Sequence, residues 1–268
     1  MDILRRRPVQ IGLGLLIVAI VAIAAFILTR DDAPDAVDAD TAAEIAREAA
    51  AETSTTTADA SESTDDTTAS TDDTAAETTE AAPAGVDGTW TVDNTIGEFS
   101  FEEATSSFAG FRIDEVLAGG IDVVAVGRTP TVSGTITIEG TTLTATEIVA
   151  NLDDISTNDS RRDNAARRAM NTGEFPEATF SLTSPVELGD GAANGDQIAV
   201  AAAGDLTING ITQPVTIDIT AQLVADIVVV TGSTTITFAD WNVDTPSAPI
   251  VASLDDFGIL EMQLFFRR

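Results

Sequence analysis

The side chains that could perform catalysis in this sequence are few, and most of them are carboxylates. Asp153-Asp154 and Asp255-Asp256 each place two carboxylates side by side, and a carboxylate pair can hydrolyse a glycosidic bond. The chain has no histidine and no cysteine, so it lacks the usual general base, a thiolate nucleophile and the commonest zinc ligands. Because adjacent acidic residues in loops are usually solvent-facing turn formers, we expect no catalytic residue and no metal site.

A second group of charged side chains is cationic. Four of the eight arginines that follow residue 84 lie at positions 161, 162, 167 and 168. Arginine binds phosphate through two parallel hydrogen bonds, so Arg161, Arg162 and Arg168 are candidates for contacts to an anionic headgroup at the rim of a binding site. The alternative is structural, in which Arg162 pairs with Asp163 or another acidic neighbour and holds a helix in place.

The overall charge argues against several classes of partner and fold. The formal net charge is −31 and every basic residue is arginine, so general affinity for nucleic acid is not expected. Without cysteine, no disulfide can stabilise a small core. We interpret the acidic excess as a solvated surface. The oligomeric state is left open by the sequence.

Residues 1–30 predict a membrane anchor. Arg5 to Arg7 precede an apolar run from Val9 to Leu28 in which Gln10 is the one strongly polar side chain. Twenty helical residues span about 30 Å, the thickness of the hydrocarbon core. The arginines predict a cytoplasmic N-terminus, which makes the protein single-pass with the rest of the chain extracytoplasmic. The alternative is a protein secreted after signal cleavage, although the match at Ala22 to Ala24 lies inside the apolar run.

Residues 31–84 predict a disordered acidic linker. They contain 16 acidic residues against the single Arg47, with almost no large apolar side chain. Such a segment cannot bury enough surface to offset the entropy of ordering it. We expect transient helix between Thr41 and Glu52, without an apolar stripe that would dock it. A coil of this length spans about 40 Å, so the linker would act as a flexible tether.

Residues 85–268 predict one β-rich domain. Short segments with apolar residues at alternate positions recur along it, and about eight or nine antiparallel strands are expected. One segment, Ser160 to Asn171, lacks β-branched residues and follows Thr157-Asn158-Asp159, which can cap a helix, so a short helix is predicted. A closed barrel leaves no exposed edge at such a strand count, and a β-sandwich is the competing architecture.

The clearest hairpin signal lies at Asn209-Gly210. This dipeptide tolerates positive φ at both central positions of a type I′ turn, and β-branched runs flank it on both sides. Alternation places Leu206 and Ile208 on one face of the first strand, and Val215 and Ile217 on one face of the second. One face of the hairpin is therefore predicted to be buried.

The same hairpin carries a family resemblance. The run from Gly204 to Val215 resembles the Gly-x-Leu-Thr-Ile-x-Gly-x-Thr-x-Pro-Val signature of the YceI-like family. Trp90-Thr91-Val92-Asp93, Arg161-Arg162-Asp163-Asn164 and Phe175-Pro176 occur in the order typical of that family. The resemblance covers about residues 85–268. It implies a lipocalin-like antiparallel β-barrel of about eight strands that holds a polyisoprenoid or a quinone-like chain in an extracytoplasmic setting.

The resemblance turns the inward apolar residues into candidate ligand contacts. We expect no cofactor other than such a bound lipid. A ligand tunnel and a filled core fit the alternation of these residues equally well, so a surface interaction module with a filled, ligand-free barrel is the alternative function. The candidate lining residues are Phe99, Phe101, Phe108, Phe111, Ile136, Ile138, Phe180, Val200, Leu206, Ile208, Val215, Ile217, Ile236 and Phe238.

Overall fold

The computed structural model describes residues 33–59, 85–245 and 251–268 of the chain. The predicted membrane anchor, over residues 1–30, lies outside this part, as do residues 60–84 of the predicted linker. Within the described ranges no helix has the length and apolarity needed to cross a membrane.

The described elements are mostly strands. The helices are α1 (Ala39–Asp59), α2 (Ser160–Ala169), α3 (Asp190–Ala193) and a 3-10 helix (Phe238–Trp241). The strands are β1 (Gly88–Val92), β2 (Phe108–Leu117), β3 (Ile121–Thr129), β4 (Val132–Glu139), β5 (Thr142–Asn151), β6 (Ser156–Thr157), β7 (Glu177–Leu182), β8 (Val186–Glu187), β9 (Ile198–Ile208), β10 (Ile211–Val224), β11 (Ile227–Thr237), β12 (Val251–Leu254) and β13 (Phe257–Arg267).

Eight of these strands form a closed antiparallel barrel. Their order around the ring is β1, β4, β5, β7, β9, β10, β11 and β13, and the ring closes where Thr91 of β1 pairs with Arg267 of β13. The other half of β13 pairs with β2, and β2 carries β3 and β12, so the wall is extended at one end. The prediction of a closed barrel is confirmed, with more helices than the one predicted.

The hairpin at Asn209-Gly210 is confirmed as a tight turn. Asn209 and Gly210 have φ values of 51° and 70°, and Ile208 pairs directly with Ile211 across the turn. The side-chain amide of Asn209 donates a hydrogen bond to the backbone oxygen of Trp241 at 3.1 Å. The turn is thereby held against the 3-10 helix at one end of the barrel.

Phe99 and Phe101, whose alternation placed them among the predicted lining residues, do not lie on a strand. Residues 93–107 form a loop that lies on the outer wall of the barrel. Gly97 has a φ of 70°, and a Cβ at this position would meet the backbone oxygen of Thr105, so the loop folds tightly on itself. Alternation of aromatic residues was therefore not evidence of a strand here.

A buried cation lies beneath this loop. The side chain of Arg128 is fully buried and forms an ion pair with Glu261 at 3.1 Å. It also donates to the backbone oxygens of Phe101 and Asp35, each at 2.7 Å. The guanidinium lies 4.5 Å from the ring centre of Phe108. Burial lowers the pKa of Arg128 below its ordinary value, and Glu261 opposes that shift.

The acceptor at Asp35 belongs to a segment that was predicted to be disordered. The backbone oxygen of Pro34 accepts from Arg112 at 2.8 Å, and the backbone N–H of Val37 donates to Glu261 at 3.4 Å. Residues 33–38 thus lie along the barrel wall. The predicted linker over residues 31–84 is corrected at this point, because an ordered segment begins by residue 33.

Helix α1 continues the correction. Ala42, Ala43 and Ala46 are buried against an apolar strip on the outer wall. The strip consists of Ile96, Val224, Ile227, Val229 and Phe265. Alanines spaced three and four residues apart form a narrow stripe that lets the helix approach the sheet closely. The expectation that no apolar stripe would dock this segment was wrong, because a stripe of small alanine side chains is enough to pack the helix on the wall.

The α1 contact can be tested with one added charge. Ala46→Glu places a carboxylate in the buried strip, so we expect a loss of about 2–4 kcal/mol in the free energy of unfolding. Ala51→Glu, on the exposed side of the same helix, is the matched control and should change stability by less than about 0.5 kcal/mol. Urea unfolding of residues 33–268 measures both, and equal effects would contradict the docked helix.

The buried ion pair makes a second prediction. Glu261→Gln keeps the size of the side chain but leaves Arg128 as an uncompensated buried cation, so unfolding should become easier by about 3–5 kcal/mol. Glu147→Gln, which removes an exposed carboxylate on β5, serves as the control. Thermal unfolding of both variants measures the change in stability. If Glu261→Gln were no less stable than the control, Arg128 would not depend on this partner.

Candidate functional site

The barrel interior holds three pockets in series. The outer pocket has a volume of about 330 Å³ and lies at the end where α2 packs. The middle pocket measures about 120 Å³ and the inner pocket about 70 Å³. Phe111, Met170, Ile208 and Leu260 line both the outer and the middle pocket. The three spaces therefore follow one another along the barrel, separated by side chains that they share.

The boundary between the middle and inner pockets is formed by Phe180 with Ile148 and Met262. The ring of Phe180 lies across Gly204, where a Cβ would come within 2.4 Å of the ring. The first glycine of the Gly204–Val215 run is therefore required by the close approach of Phe180. A larger residue at this position would push the ring into the lumen.

The outer boundary repeats this arrangement. The ring of Phe111 lies across Gly127 of the neighbouring strand, at 2.5 Å from the position that a Cβ would take. Both aromatic rings pack against glycines of the wall, and each lines the pockets on both sides of its boundary. Met170 shares the outer boundary with Phe111, and Met262 shares the inner boundary with Phe180. Methionine adapts readily to a changing neighbour.

The inner pocket is almost entirely apolar. Its walls come from the strands around the far end of the barrel, and α3 contributes Ala192. Thr146 is an exception, because its hydroxyl oxygen is buried and has no hydrogen-bond partner among the described residues. The inner pocket can therefore accept a hydrocarbon group, with a single hydroxyl available in its wall.

The outer pocket differs because charged groups line part of it. Helix α2 forms one of its walls through Ala165, Ala166 and Ala169. Asp159 caps the start of this helix, because its side chain accepts a hydrogen bond from the backbone N–H of Arg161 at 3.1 Å. Small side chains on the inner face of α2 keep this end of the lumen wide.

An ion pair connects α2 to the barrel wall. Arg162 donates to Glu115 of β2 at 2.9 Å, and Glu115 is only 7% exposed. Asp163 instead accepts from the hydroxyl of Thr157 at 2.7 Å. The structural role considered for Arg162 is thus present, with Glu115 as its partner. Both charged groups line the outer pocket, so a polar group of a ligand would meet them there.

The remaining arginines of α2 have different surroundings. Arg161 lines the outer pocket, its side chain is 69% exposed, and it pairs with Asp159 at 2.8 Å. Arg167 donates to the backbone oxygen of Ile155 at 2.8 Å and so holds the end of the helix. Arg168 is exposed and lies outside the pocket linings. The structure thus brings Arg161 and Arg162, but not Arg168, to the pocket.

Most of the predicted apolar residues line the pockets, although their contact with a ligand stays a prediction. The residues that line at least one pocket are Phe111, Ile136, Ile138, Phe180, Val200, Leu206, Ile208, Ile217, Ile236 and Phe238. Phe99 and Phe101 lie in the outer loop, and Phe108 faces Arg128 on the outer wall, which corrects their predicted place in the lumen. Val215 packs beside the interior cluster without lining a pocket.

Several lining residues were not predicted. Glu115 shares its face of β2 with Phe111 and Ile113, so a carboxylate at an inward position was a signal in the sequence. Met170 follows α2 and reaches the lumen from outside the sheet, so strand alternation could not identify it. Leu260 and Met262 were expected on one face of the last strand, but the sequence did not show which pockets they divide.

Comparison with known proteins agrees with the fold. The family model described as the YceI-like domain matches residues 52–264, which is most of the chain. A polyisoprenoid binding domain from Saccharophagus degradans has a similar structure, with a TM-score of 0.50, 18% identity, and coverage of 66% of this chain and 97% of that domain. At this identity the structural likeness supports the fold alone.

Relatives by sequence carry the same family name. Protein YceI of Escherichia coli O157:H7 is 37% identical over 73 residues, which is 26% of this chain and 34% of that protein. Protein YceI of Salmonella newport is 30% identical over 121 residues, which is 44% of this chain and 57% of the relative. The alignments therefore span less than two thirds of either relative.

The start of α2 has a testable pH dependence. The hydrogen bond from Arg161 lowers the pKa of Asp159 below its ordinary value of 3.8. A lowered pKa in the folded state adds stability that is complete above the unfolded value and is lost as pH falls through the folded one. The free-energy difference between the natural chain and Asp159→Asn should therefore be largest near neutral pH and vanish in strong acid.

Urea unfolding at a series of pH values measures this difference. Because Arg161 is exposed and solvent screens the pair, we expect no more than about 1 kcal/mol at neutral pH. Asp122→Asn, an exposed aspartate on β3, is the matched control. A constant difference across the pH range would show that the Asp159 charge does not stabilise α2.

Proposed function

Because this chain belongs to the YceI-like family, we propose that its barrel binds an isoprenoid lipid, either a polyisoprenoid or a quinone with an isoprenoid tail, and sequesters or carries it. The observation that carries the proposal is the row of three pockets inside a closed barrel. A narrow row of apolar spaces fits a long, flexible hydrocarbon chain better than a compact ligand. Burial of apolar surface supplies the binding energy, at about 25 cal/mol per Å² before the cost of ordering the chain.

The polarity of the pockets supports one direction of binding. The tail of the ligand would enter the inner pocket, where the lining is apolar. The polar end would stay in the outer pocket, near Arg161 and the pair formed by Arg162 and Glu115. Of these three pockets, the outer one has a volume within the range of small-molecule sites, which is about 300–1,000 Å³.

We further propose that the barrel works outside the cytoplasm, attached to the membrane by residues 1–30. The support is the membrane-length apolar run and the three arginines before it. A hydrophobic ligand is available in the bilayer, so anchoring keeps the barrel close to its supply. Secretion after cleavage remains the alternative to anchoring, and it would leave the binding function unchanged.

We propose a binding protein without catalytic activity. The groups that face the pockets are mainly hydrocarbon, and the two arginines of the outer pocket, Arg161 and Arg162, are engaged in ion pairs. No group of acidic residues with metal-binding geometry occurs among the described residues. The proposed ligand is the lipid itself, with no nucleic acid involved.

Lipid extraction tests this function. Residues 33–268, which retain the α1 contacts, would be purified without detergent, extracted with organic solvent and analysed by mass spectrometry. We expect an isoprenoid lipid in the extract and a higher unfolding temperature when such a lipid is added. An empty extract together with an unchanged unfolding temperature would reject the carrier function and favour the surface interaction module.

A bulky substitution tests where the ligand lies. Ile217 lines the middle pocket, so Ile217→Trp should fill that space and reduce lipid recovery or affinity about tenfold or more. Thr216→Trp adds the same indole one residue away on the exposed outer face and should bind lipid normally. Equal lipid binding by both variants would place the ligand outside the middle pocket.

A further inference from the structure

Two large apolar side chains are exposed at one end of the barrel. Phe257 is 44% exposed and Ile259 is 42% exposed, and both lie on the outer face at the start of β13. Their strand neighbour Leu260 faces inward and lines the outer pocket. We call Phe257 and Ile259 the rim patch, because they lie on the wall directly outside the opening of the lumen.

The rest of the outer face of β13 is covered. Glu261 is covered by residues 33–38, as its contacts with Val37 and Arg128 show. Gln263 donates to the backbone oxygen of Ser106 in the outer loop, and Phe265 packs under α1. The cover therefore stops at the rim patch, which leaves apolar surface in water where the outer pocket opens.

The N-terminal segment is held on the same wall, close to this patch. Going back along the chain, Val37 is held at Glu261, and Pro34 is held at Arg112. Arg112 is paired with Ile259 across the two strands. The guanidinium of Arg112 also lies 3.9 Å from Glu261, so Pro34 is attached to the wall about one strand pair away from the rim patch.

This attachment shortens the connection to the predicted membrane helix. The apolar run ends at Leu28, six residues before Pro34. Six residues reach at most about 20 Å when fully extended. The sequence alone predicted a tether of 54 residues, which would have left the orientation of the barrel free. With Pro34 held on the wall, the predicted membrane helix would end within about 20 Å of Arg112, the strand partner of Ile259.

We propose that the barrel lies on the bilayer with the opening of its outer pocket toward the lipid, and that the rim patch inserts into the membrane interface. This inference rests on the proposed membrane-anchored carrier function. It names a lipid bilayer surface as the partner of the rim. An isoprenoid chain then passes between bilayer and outer pocket without crossing water.

Charge at the same end of the barrel is mixed, because Asp244 and Asp256 are exposed there as well as two arginines. Helix α2 forms a wall of the outer pocket, and its Arg161 and Arg168 are exposed. Arginine binds lipid phosphate groups well. Attraction of the whole protein to an anionic surface does not contribute, since the net charge is −31. Two apolar side chains bind a bilayer weakly when free, but the short connection makes their insertion an intramolecular step.

The absence of cysteine allows a direct test with single labels. Phe257→Cys and Ile259→Cys would each be labelled with a polarity-sensitive fluorophore in the full-length chain. Glu139→Cys, at the exposed end of β4 near the inner pocket, is the matched control. The proteins are reconstituted in phosphatidylcholine vesicles, with and without lipids that carry a nitroxide quencher on the acyl chain.

We expect both rim labels to shift to shorter emission wavelength and to lose most of their fluorescence with the quencher lipid, while the control label does neither. Rim labels that are quenched no more than the control would overturn the docking. Labels shielded from water but not quenched would also overturn it, since residues 1–32 or a second copy would then cover the patch. Failure of the chain to float with the vesicles would reject the anchoring itself.

The labelling experiment and the lipid extraction test the docking and the carrier function separately. Lipid recovered from residues 33–268 without rim quenching would keep the carrier function and reject the docking. Rim quenching with no lipid in the extract would support the docked orientation and reject the carrier function.

Discussion

The buried guanidinium of Arg128 is the interaction on which the outer structure of this protein depends. A buried cation is tolerated only when acceptors surround it. The acceptors come from three separate parts of the chain: Glu261 of β13, the loop carrying Phe101, and the segment carrying Asp35. These parts must be in place together. The consequence reaches beyond the barrel itself, because the same contacts attach the N-terminal segment to the wall.

The lumen depends on a different constraint, the close approach of aromatic rings to glycines. Phe111 packs on Gly127 and Phe180 packs on Gly204, and a Cβ at either glycine would displace the ring. The two rings line the boundaries between the pockets together with Met170 and Met262. A barrel of eight strands can be filled or can hold one small ligand, and ring placement on glycine favours the second outcome here.

Much of the fold could be predicted because it follows from local chemistry. The positive φ values at Asn209-Gly210, the cap at Asp159 and the alternation along β9 and β10 are properties of neighbouring residues. The candidate site was less predictable. Alternation placed Ile136 and Ile217 inward, yet it also suggested Phe101 and Phe108, whose surroundings are set by the remote Arg128. Glu115 became a site residue only through Arg162 of α2.

The sequence by itself determined the family, the β-rich domain and the faces of most strands, because turn chemistry and alternation act over a few residues. Tertiary structure alone decided what the acidic N-terminal segment does. Its alanines have little apolar surface, so their docking depends on the matching strip around Val229 and Phe265. The backbone oxygen of Asp35 contributes to stability because it accepts a hydrogen bond from the buried Arg128. Those partners are more than 90 residues away along the chain, beyond the range of any local pattern.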